Sequence, residues 1–380
     1  MSEGIPYIKM YNLRNQEIDF DFKPQYIKEE VHNGKLQRSR TEVGDLIMNI
    51  VGPPLGKLAL IPKSLPQANF NQAAVLIRPY LHKEIINVYL KAYLEEMSEI
   101  NSISTKGSAG QVNISLTQSQ NMRIPLPPLQ EQIRINNELR VWLTYVQQIE
   151  NGRETLNLAI KQAKGKILDL AIHGKLVPQD PNDEPASELL KRINPKAEIT
   201  CDNPQYGKLP KGWCETLLGN IGHWQSGATP SRLRKDYYNG DIPWLKTGDL
   251  NDSVIKSIPE TITRKALEET SVKLNPTGSV LIAMYGATIG KIGILALPAT
   301  TNQACCACVD YMCDKMFLFY FLLANRKRFI AMGGGGAQPN ISKEKITNTH
   351  IPLPPLSEQH RIVAKIEELF VQFDKIEASL

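Results

Sequence analysis

The chain repeats itself, and this constrains its fold more than any other feature of the sequence. Residues 5–9, Ile-Pro-Tyr-Ile-Lys, return as Ile-Pro-Trp-Leu-Lys at 242–246, an offset of 237. The run Ile-Pro-Leu-Pro-Pro-Leu at 124–129 returns unchanged at 351–356, an offset of 227. Further blocks return in the same order: 44–47 at 278–281, 71–73 at 302–304 and 113–115 at 340–342. The 380 residues therefore predict two homologous domains, the first with about ten extra loop residues.

The composition excludes several classes of protein. Hydrophobic residues make up 42% of the chain and charged residues 22%, which is typical of a globular protein and not of a disordered one. No run reaches the roughly 18 to 20 apolar residues of a membrane span, and the first residues lack the basic and apolar regions of a secretory signal. We therefore expect a cytoplasmic protein without membrane contact. The net charge of +5 permits nucleic-acid binding without establishing it.

Each copy is predicted to be a mixed α+β domain followed by a long helix. Alternating apolar residues broken by Gly and Pro predict short strands, as at 279–297 and 303–309, whereas 81–100 and 314–332 have the pattern of helices. The predicted boundaries are 1–128 for the first domain, 129–173 for the first long helix, 174–208 for a linker with a short helix at 186–193, 209–356 for the second domain and 357–380 for the second long helix.

The long helices carry a heptad pattern. Apolar residues recur at alternating steps of four and three, which favours a coiled-coil seam over a helix that packs on a single core. At about 1.5 Å per residue the first helix extends roughly 60 Å and can act as a spacer. The residues predicted to form the seam and to dock partner subunits are Ile135, Leu139, Trp142, Val146, Ile149, Leu156, Ile160, Ile167, Leu170, Ile362, Ile366, Leu369, Phe373, Ile376 and Leu380.

Several blocks together carry a resemblance to a known family. They include Leu-Pro-Lys-Gly-Trp at 209–213, Gly-Ala-Thr-Pro-Ser at 227–231, Tyr-Tyr-Asn-Gly-Asp-Ile-Pro-Trp at 237–244, the glycine-bounded run 286–291 and Gly-Lys-Leu-Val-Pro at 174–178. With the repeated blocks described above, they make the chain resemble the DNA-specificity subunit of type I restriction-modification systems over essentially its whole length.

This resemblance implies an architecture and a function. Two target-recognition domains would lie at opposite ends of an antiparallel coiled-coil pair of long helices, and each would read one half of a bipartite site in double-stranded DNA. The helices would dock two copies of an adenine-methyltransferase (modification) subunit, and motor-nuclease (restriction) subunits would complete the complex. The specificity subunit itself would be non-catalytic, with no cofactor.

The chain departs from this pattern at two places. The second copy has 33 residues, 209–241, before its Ile-Pro-Trp block, whereas the first copy has four before Ile5. The second long helix has no counterpart of residues 168–171 of the first. We therefore expect an N-terminally incomplete first domain and a C-terminally incomplete second helix. The alternative function is a truncated interaction protein that binds modification subunits through its helices without reading DNA.

Two motifs that suggest catalysis fail on closer reading. The run 286–291 resembles a phosphate-binding loop, but it has three residues between its glycines where that loop needs four, and Ile292 stands where Ser or Thr is required. A tight turn between strands is the better prediction. No Asn or Asp precedes Pro-Pro-Tyr or Pro-Pro-Phe, so the usual adenine-methyltransferase motif is missing. No catalytic residue is predicted.

A cluster of cysteines suggests a metal site, but the repeat argues against it. Four of the six cysteines lie between 305 and 313. The matching positions of the first copy are aliphatic, so we predict buried strand positions with reduced thiols and no metal ligands. The cysteines are Cys305, Cys306, Cys308 and Cys313, and the matching residues of the first three are Ala74, Val75 and Ile77.

Candidate DNA contacts are polar or basic residues on loops between predicted strands. One loop of the second copy mixes cations with hydroxyl and aromatic groups, although such a loop can also be merely solvated. Its candidates are Thr229, Ser231, Arg232, Arg234, Lys235 and Tyr238.

Two kinds of residue repeat in both copies. The amides suit bidentate contact with adenine, although Asn and Gln also bind buried backbone groups, and the lysines suit phosphate. The amide candidates are Asn302, Gln303, Asn71, Gln72, Gln338, Asn340, Gln111 and Asn113, and the lysine candidates are Lys246, Lys9, Lys291 and Lys57.

Overall fold

A computed structural model of the chain describes residues 3–52, 55–96, 113–197, 199, 208–334 and 339–380. The chain divides into two units, residues 1–151 and 152–380, so the boundary falls inside the first long helix and not at its start. Each unit combines helices with small sheets, which confirms the predicted α+β class.

The first unit holds short strands and helices in alternation. Its strands are β1 Ile5–Ile8, β2 Leu13–Arg14, β3 Glu17–Ile18, β4 Tyr26–Ile27, β5 Arg40–Thr41, β6 Leu46–Asn49, β7 Leu58–Leu60, β8 Ala68–Phe70 and β9 Ala74–Ile77. Its helices are α1 Glu29–Asn33, α2 Lys83–Glu96, α3 Leu116–Gln120 and the first part of α4 Leu129–Ile172. The described sheets have the orders β4-β1-β8-β5, β7-β6-β9 and β2-β3.

Alternation along β6 separates two cores in the first unit. Leu46 and Met48 lie on one face and pack with Leu90 of α2. Ile47 lies on the other face and packs with Ile8 of β1. Successive side chains of a strand point to opposite faces, and both faces of this sheet are covered. For this reason Leu46, Ile47 and Met48 of β6 are all buried, as is Ile8 of β1.

The second unit repeats this arrangement and adds to it. Its strands are β10 Cys214–Leu217, β11 His223–Ser226, β12 Tyr238–Leu245, β13 Ser253–Ile255, β14 Thr261–Ile262, β15 Val280–Ala283, β16 Ile292–Leu295, β17 Thr300–Thr301, β18 Cys305–Val309 and β19 His350–Leu353. Its helices are the rest of α4, α5 Ala186–Ile193, α6 Leu218–Ile221, α7 Arg264–Glu269, α8 Lys315–Ala324, α9 Arg326–Met332, α10 Lys343–Thr347 and α11 Leu356–Ala378.

The repeat holds at the level of strand register. The second unit has described sheets of order β11-β18-β15-β16-β13, β14-β12-β17 and β10-β19. Ile8 lies opposite Phe70 in the parallel pair β1–β8, and Leu245 lies opposite Thr301 in the parallel pair β12–β17, each at its repeat offset. The tandem homologous domains predicted from the sequence therefore share one strand pairing.

The cysteine cluster occupies buried strand positions, as predicted. Cys305, Cys306 and Cys308 lie on β18 without measurable exposure, and Cys313 is also buried. Burial raises the pKa of the Cys306 and Cys313 thiols to about 12. These thiols therefore stay protonated and pack as small hydrophobes.

The glycine-bounded run 286–291 is a tight turn between β15 and β16, as predicted. Gly286 and Gly290 have positive φ angles of 63° and 77°, which glycine adopts at little cost. A Cβ atom at Gly290 would lie 3.0 Å from Cγ of Arg326, so close packing also favours glycine there.

The two long helices run antiparallel where they meet inside the second unit. Lys164 of α4 forms ion pairs of 2.8 Å with Asp374 and Glu377 near the end of α11. Beyond the end of α4, Asp183 forms an ion pair of 2.6 Å with Arg361 near the start of α11. Contacts that progress in opposite directions along the two segments indicate an antiparallel pair.

The residues predicted to form the seam and to dock partners lie in different surroundings. Ile160, Ile362 and Ile366 are buried, and Ile167 packs against the same core. Ile135 instead packs partly buried against the core of the first unit. Trp142, Val146, Ile149, Leu156 and Ile376 are exposed, and Leu380 follows the end of α11 at Ala378.

No helix in the described part of the chain is both long enough and apolar enough to cross a membrane.

A buried glutamine fixes the start of each long helix. The side-chain amide of Gln132 donates to the carbonyl of Pro127 at 2.8 Å, and that of Gln359 donates to Pro354 at 2.9 Å. Oε1 of Gln359 also accepts from the backbone N–H of Asp314 at 2.8 Å, whereas Oε1 of Gln132 is buried without a partner among the described residues.

We predict that Gln359→Leu destabilises its unit more than Gln132→Leu destabilises the other. Leucine leaves two backbone groups without their side-chain partner at the first position and one at the second, which amounts to losses of about 3 and about 1.5 kcal/mol. Hydrogen exchange of the slowest amides in each unit measures both losses, with exposed Gln147→Leu as the control. A larger loss for Gln132→Leu would contradict this account.

Candidate DNA interface

The loop between β11 and β12 is held against the second unit by its aromatic residues. Trp244 is 1% exposed, and its indole N–H donates to the carbonyl of Ala228 at 3.1 Å. The hydroxyl of Tyr238 donates to the carbonyl of Pro230 at 2.5 Å. The guanidinium carbon of Arg232 lies 4.5 Å from the ring centroid of Tyr238 and 5.0 Å from that of Trp244. Arg232 is therefore positioned by stacking and is not a loosely solvated side chain.

The basic residues of this loop are paired with acids that the sequence analysis did not identify. Glu260 forms an ion pair of 3.1 Å with Arg232 and a second one with Lys246. Asp236 pairs with Arg234 at 2.7 Å and with Lys265 at 2.8 Å. The sequence does not predict the ion pairs of Glu260, since Glu260 lies 28 residues from Arg232 and 14 from Lys246.

The ion pairs keep both carboxylates charged. The hydrogen bond from Lys246, with a second from Arg232, lowers the pKa of Glu260 below its usual value. The hydrogen bond from Arg234, with a second from Lys265, holds the pKa of Asp236 well below its usual range. The surface therefore presents paired charges at neutral pH. Lys235 is exposed and borders a shallow cavity of about 350 Å³ beside Arg232 and Asn239.

The repeated Asn-Gln block follows the same strand in both units. Asn302 comes directly after β17, and its backbone N–H donates to Leu245 at 2.9 Å; Asn71 comes after β8 and donates to Ile8 at 3.2 Å. Both side-chain oxygens are buried and have no hydrogen-bond partner among the described residues. A buried amide oxygen without a partner is a place where a donor group can bind, and here it occurs at both repeats.

The structure brings two of the predicted contacts together. The hydroxyl of Thr229 donates to the side-chain oxygen of Gln303, and both residues are exposed. The loop between β11 and β12 and the Asn-Gln block of the second unit therefore form one surface. Ser231 is exposed on the same loop. The counterpart Gln72 of the first unit is also exposed.

Among the remaining candidates, Asn340 and Lys291 lie together at the turn 286–291. Asn340 forms a β-bridge with Tyr285, and the N–H of Gly286 donates to Pro339 at 2.9 Å, which places Asn340 beside the turn that carries Lys291. In the first unit Asn113 forms the matching bridge with Val51. Lys57 is half-buried at the end of the matching turn, and Lys9 lies over the ring of Tyr7 at 5.3 Å. Gln111 and Gln338 lie outside the described residues.

The first unit has an aromatic and basic cluster that the sequence analysis missed. The guanidinium carbon of Arg14 lies 4.3 Å from the ring centroid of Phe22, and the amine of Lys23 lies 5.3 Å from it. Arg14 also pairs with Asp19 at 3.3 Å. The run Asp-Phe-Lys at 21–23, in which charged residues flank an aromatic one, is the sequence feature that could have indicated this cluster.

The middle of α4 presents an apolar stripe. Trp142 is 63% exposed and Ile149 is 70% exposed, although both are large hydrophobic residues. An exposed apolar patch of this kind is typical of a surface that binds another protein. We call it the central stripe, and its members are Val141, Trp142, Tyr145, Val146 and Ile149, which share one face of the helix.

Among the described residues, no group of three or more His, Cys, Asp or Glu side chains is arranged to hold a metal ion.

Comparison with known proteins identifies what the chain resembles. The family model of the type I restriction modification DNA specificity domain matches residues 1–155 and 210–379. A type I restriction enzyme specificity subunit of Escherichia coli is 31% identical over 170 residues, which cover 43% of this chain and 41% of that protein. A type I restriction enzyme specificity subunit of Methanocaldococcus jannaschii is 25% identical over 378 residues, which cover 96% of this chain and 80% of that protein.

Two solved structures share the fold. One comes from a study of complex assembly and conformational transition of the type I R-M system, with a TM-score of 0.64 and 20% identity over 99% of this chain and 86% of that chain. The other is the HsdS subunit from Thermoanaerobacter tengcongensis, with a TM-score of 0.57 and 19% identity over 99% of this chain and 85% of that chain.

Proposed function

The chain belongs to the type I restriction-modification DNA specificity family, and we propose that it is a non-catalytic subunit that recognises a bipartite site in double-stranded DNA. The observation that carries this proposal is the tandem recognition fold, whose two copies share one strand register and each carry an Asn-Gln block after the same strand. Two copies of one DNA-reading surface in a single chain suit a DNA site made of two separate half-sites, each a short word of fixed sequence.

The proposed reading surface of the second unit combines two kinds of contact. Gln303 and Thr229 are exposed and offer hydrogen-bonding groups for base edges, and Asn302 lies directly before Gln303. Lys235, Arg232 and other cations on the loop suit the phosphate backbone, which positions the protein without reading sequence. In the first unit Asn71 and Gln72 are proposed to read the other word.

The central stripe and the rest of the heptad positions are proposed to dock modification subunits, two per chain, with restriction subunits joining the larger complex. Exposure of Trp142 and Ile149 supports this role, because large apolar side chains are enriched at protein interfaces. We also propose a cytoplasmic location, where DNA and these subunits would be met. The alternative, a protein that only binds modification subunits, predicts no preference between DNA sequences.

A first experiment separates base reading from phosphate contact. We expect replacement of Asn302 and Gln303 by alanine to cost about 1 to 3 kcal/mol on the cognate duplex and little on a scrambled one. Lys291→Ala should weaken binding to both duplexes equally and reduce the log-log salt slope by about 0.9. Titrations at several salt concentrations measure both effects, and the Asn71→Ala, Gln72→Ala pair serves as the matched change in the first unit. Equal losses on both duplexes for the Asn302 and Gln303 change would refute base reading.

A second prediction follows from the paired charges. Glu260→Gln removes the carboxylate that neutralises Lys246 and Arg232, while the aromatic rings still hold Arg232 in place. Binding to any duplex should therefore strengthen about three- to tenfold, with a steeper salt dependence. Glu188→Gln removes the same charge from an exposed pair with Lys191 and is the control. Equal effects of the two substitutions would show that this loop does not face DNA.

A third prediction concerns the length of α4. The described contacts of α4 with α11 begin at Lys164, so deletion of the seven residues 143–149 leaves them intact. Seven residues are close to two helical turns and shorten the helix by about 10 Å, or about three base pairs of duplex. The unread gap between the two words should shrink by that amount in a selection of binding sites. A gap of unchanged length would disprove the spacer role.

A further inference from the structure

One position of the repeat carries a different charge in the two units, although the backbone around it is the same. β4 pairs with β1 in the first unit, and β14 pairs with β12 in the second. The backbone N–H of Tyr7 donates to the carbonyl of Gln25, and that of Trp244 donates to the carbonyl of Glu260, both at 2.8 Å. Gln25 and Glu260 therefore hold equivalent positions, with an amide in one unit and a carboxylate in the other.

A repeated lysine follows the strand next to this position in both units. Lys9 follows β1, and Lys246 follows β12 at the repeat offset of 237. Lys246 forms an ion pair with Glu260. Lys9 forms no ion pair with any described residue, and its amine lies over the ring of Tyr7, 5.3 Å from the centroid. A ring does not neutralise the lysine, so the charge of Lys9 is available to an anionic ligand.

Two further cations of the first unit flank one aromatic ring. The guanidinium carbon of Arg14 and the amine of Lys23 lie 4.3 Å and 5.3 Å from the ring centroid of Phe22. Arg14 pairs with Asp19 at 3.3 Å, whereas Lys23 forms no ion pair with the part of the chain that the structure describes. We call Lys9, Arg14 and Lys23 the cation cluster.

One buried amide joins the segments that carry the cation cluster. Asn12 is 0% exposed, and its side-chain amide donates to the carbonyl of Phe22 at 2.8 Å. The backbone N–H of Lys9 donates to the side-chain oxygen of Asn12 at 2.9 Å. The hydroxyl of Tyr11 donates to the carbonyl of Lys23 at 3.3 Å. The cations therefore lie on a fixed backbone, which reduces the entropy that is lost when a ligand binds.

The cation cluster adjoins the Asn-Gln block of its unit. β1 and β8 are parallel neighbours, and the N–H of Asn71 donates to the carbonyl of Ile8 at 3.2 Å. Lys9 directly follows the residue that Asn71 binds. Lys246 has the same place next to Asn302 in the second unit. Each Asn-Gln block therefore has a lysine beside it, and the two lysines differ in whether a carboxylate pairs with them.

Unpaired and paired lysines contribute differently to DNA binding. A lysine that neutralises a phosphate releases a counterion, so it adds affinity that falls with salt and does not depend on sequence. A lysine that already pairs with a carboxylate adds less, because its charge is balanced and the carboxylate repels the phosphate. Glu260 exerts this effect at neutral pH, because the hydrogen bonds from Lys246 and Arg232 lower its pKa.

We propose that the cation cluster binds the phosphate backbone of DNA beside the Asn-Gln block of the first unit, and that the residue at position 25 or 260 sets how much sequence-independent affinity its unit contributes. Gln25 leaves Lys9 free to bind a phosphate in any sequence. Glu260 restrains Lys246, so the second unit depends more on contacts with bases. This inference rests on the proposed function, because it requires both Asn-Gln blocks to face DNA.

The first test compares the two lysines in the intact chain. Binding is titrated at several salt concentrations with a duplex selected from a random pool and with a scrambled duplex. Lys9→Ala should weaken binding to both duplexes by the same factor, about three- to tenfold, and reduce the log-log salt slope by about 0.9, and Lys23→Ala should do the same. Lys246→Ala should reduce the slope by less than half as much, because Glu260 balances that charge. Lys9→Arg keeps the charge and should keep the slope, which separates a phosphate contact from a structural role.

The second test exchanges the two side chains at the repeated position. Gln25→Glu should weaken binding to both duplexes about three- to tenfold and reduce the salt slope, because it gives Lys9 a carboxylate partner. Adding Glu260→Gln to the same chain should return the slope close to its original value. Gln120→Glu adds the same charge at an exposed residue of α3 and should have little effect.

The outcomes separate this inference from the proposed function. Equal slope changes for Lys9→Ala and Lys246→Ala, or an effect of Gln25→Glu no larger than that of Gln120→Glu, would overturn the inference and leave sequence preference untouched. A loss for Lys9→Ala confined to the selected duplex would also overturn it, because that pattern indicates base reading. A chain that binds every duplex alike and still shows the difference between the two lysines would support the inference and refute base reading. Absence of DNA binding would overturn both.

Discussion

In both units the step from recognition domain to long helix depends on one buried amide hydrogen bond. Gln132 and Gln359 each donate to a proline carbonyl five residues earlier, so the proline-rich turn and the first turn of the helix form one rigid piece. This bond fixes where each helix begins relative to the residues before it. The heptad positions that follow are therefore presented in the same register by both copies, at an offset of 227.

Much of this fold could be predicted from the sequence because the two copies must bury equivalent faces. The strand positions of Cys305, Cys306 and Cys308 followed from aliphatic residues in the first copy, and the short helix at 186–193 followed from its local pattern. The break between α8 and α9 could not be predicted from the repeat or from a local pattern. There Asn325 donates its side-chain amide to the carbonyl of Phe321 at 3.0 Å, a local bond that competes with helix continuation.

The properties of the candidate site that depend on distant pairs could not be predicted. Arg232 and Lys246 looked like free cations in the sequence, but both meet Glu260, which no spacing rule connects to them. The surroundings of the heptad residues could not be predicted for a related reason. A heptad pattern shows which side of a helix is apolar and not which partner covers it, so Trp142 and Ile149 are exposed in the single chain. Both features lie on the surface of the chain.

The most direct test of the central claim is a selection of binding sites by the purified chain from a random pool of DNA duplexes. Two homologous reading surfaces in one chain predict enrichment of two short words separated by a gap of fixed length and free sequence. Enrichment of one continuous word, or recovery of the pool without any preferred sequence, would contradict the proposal that each unit reads its own half of a bipartite site.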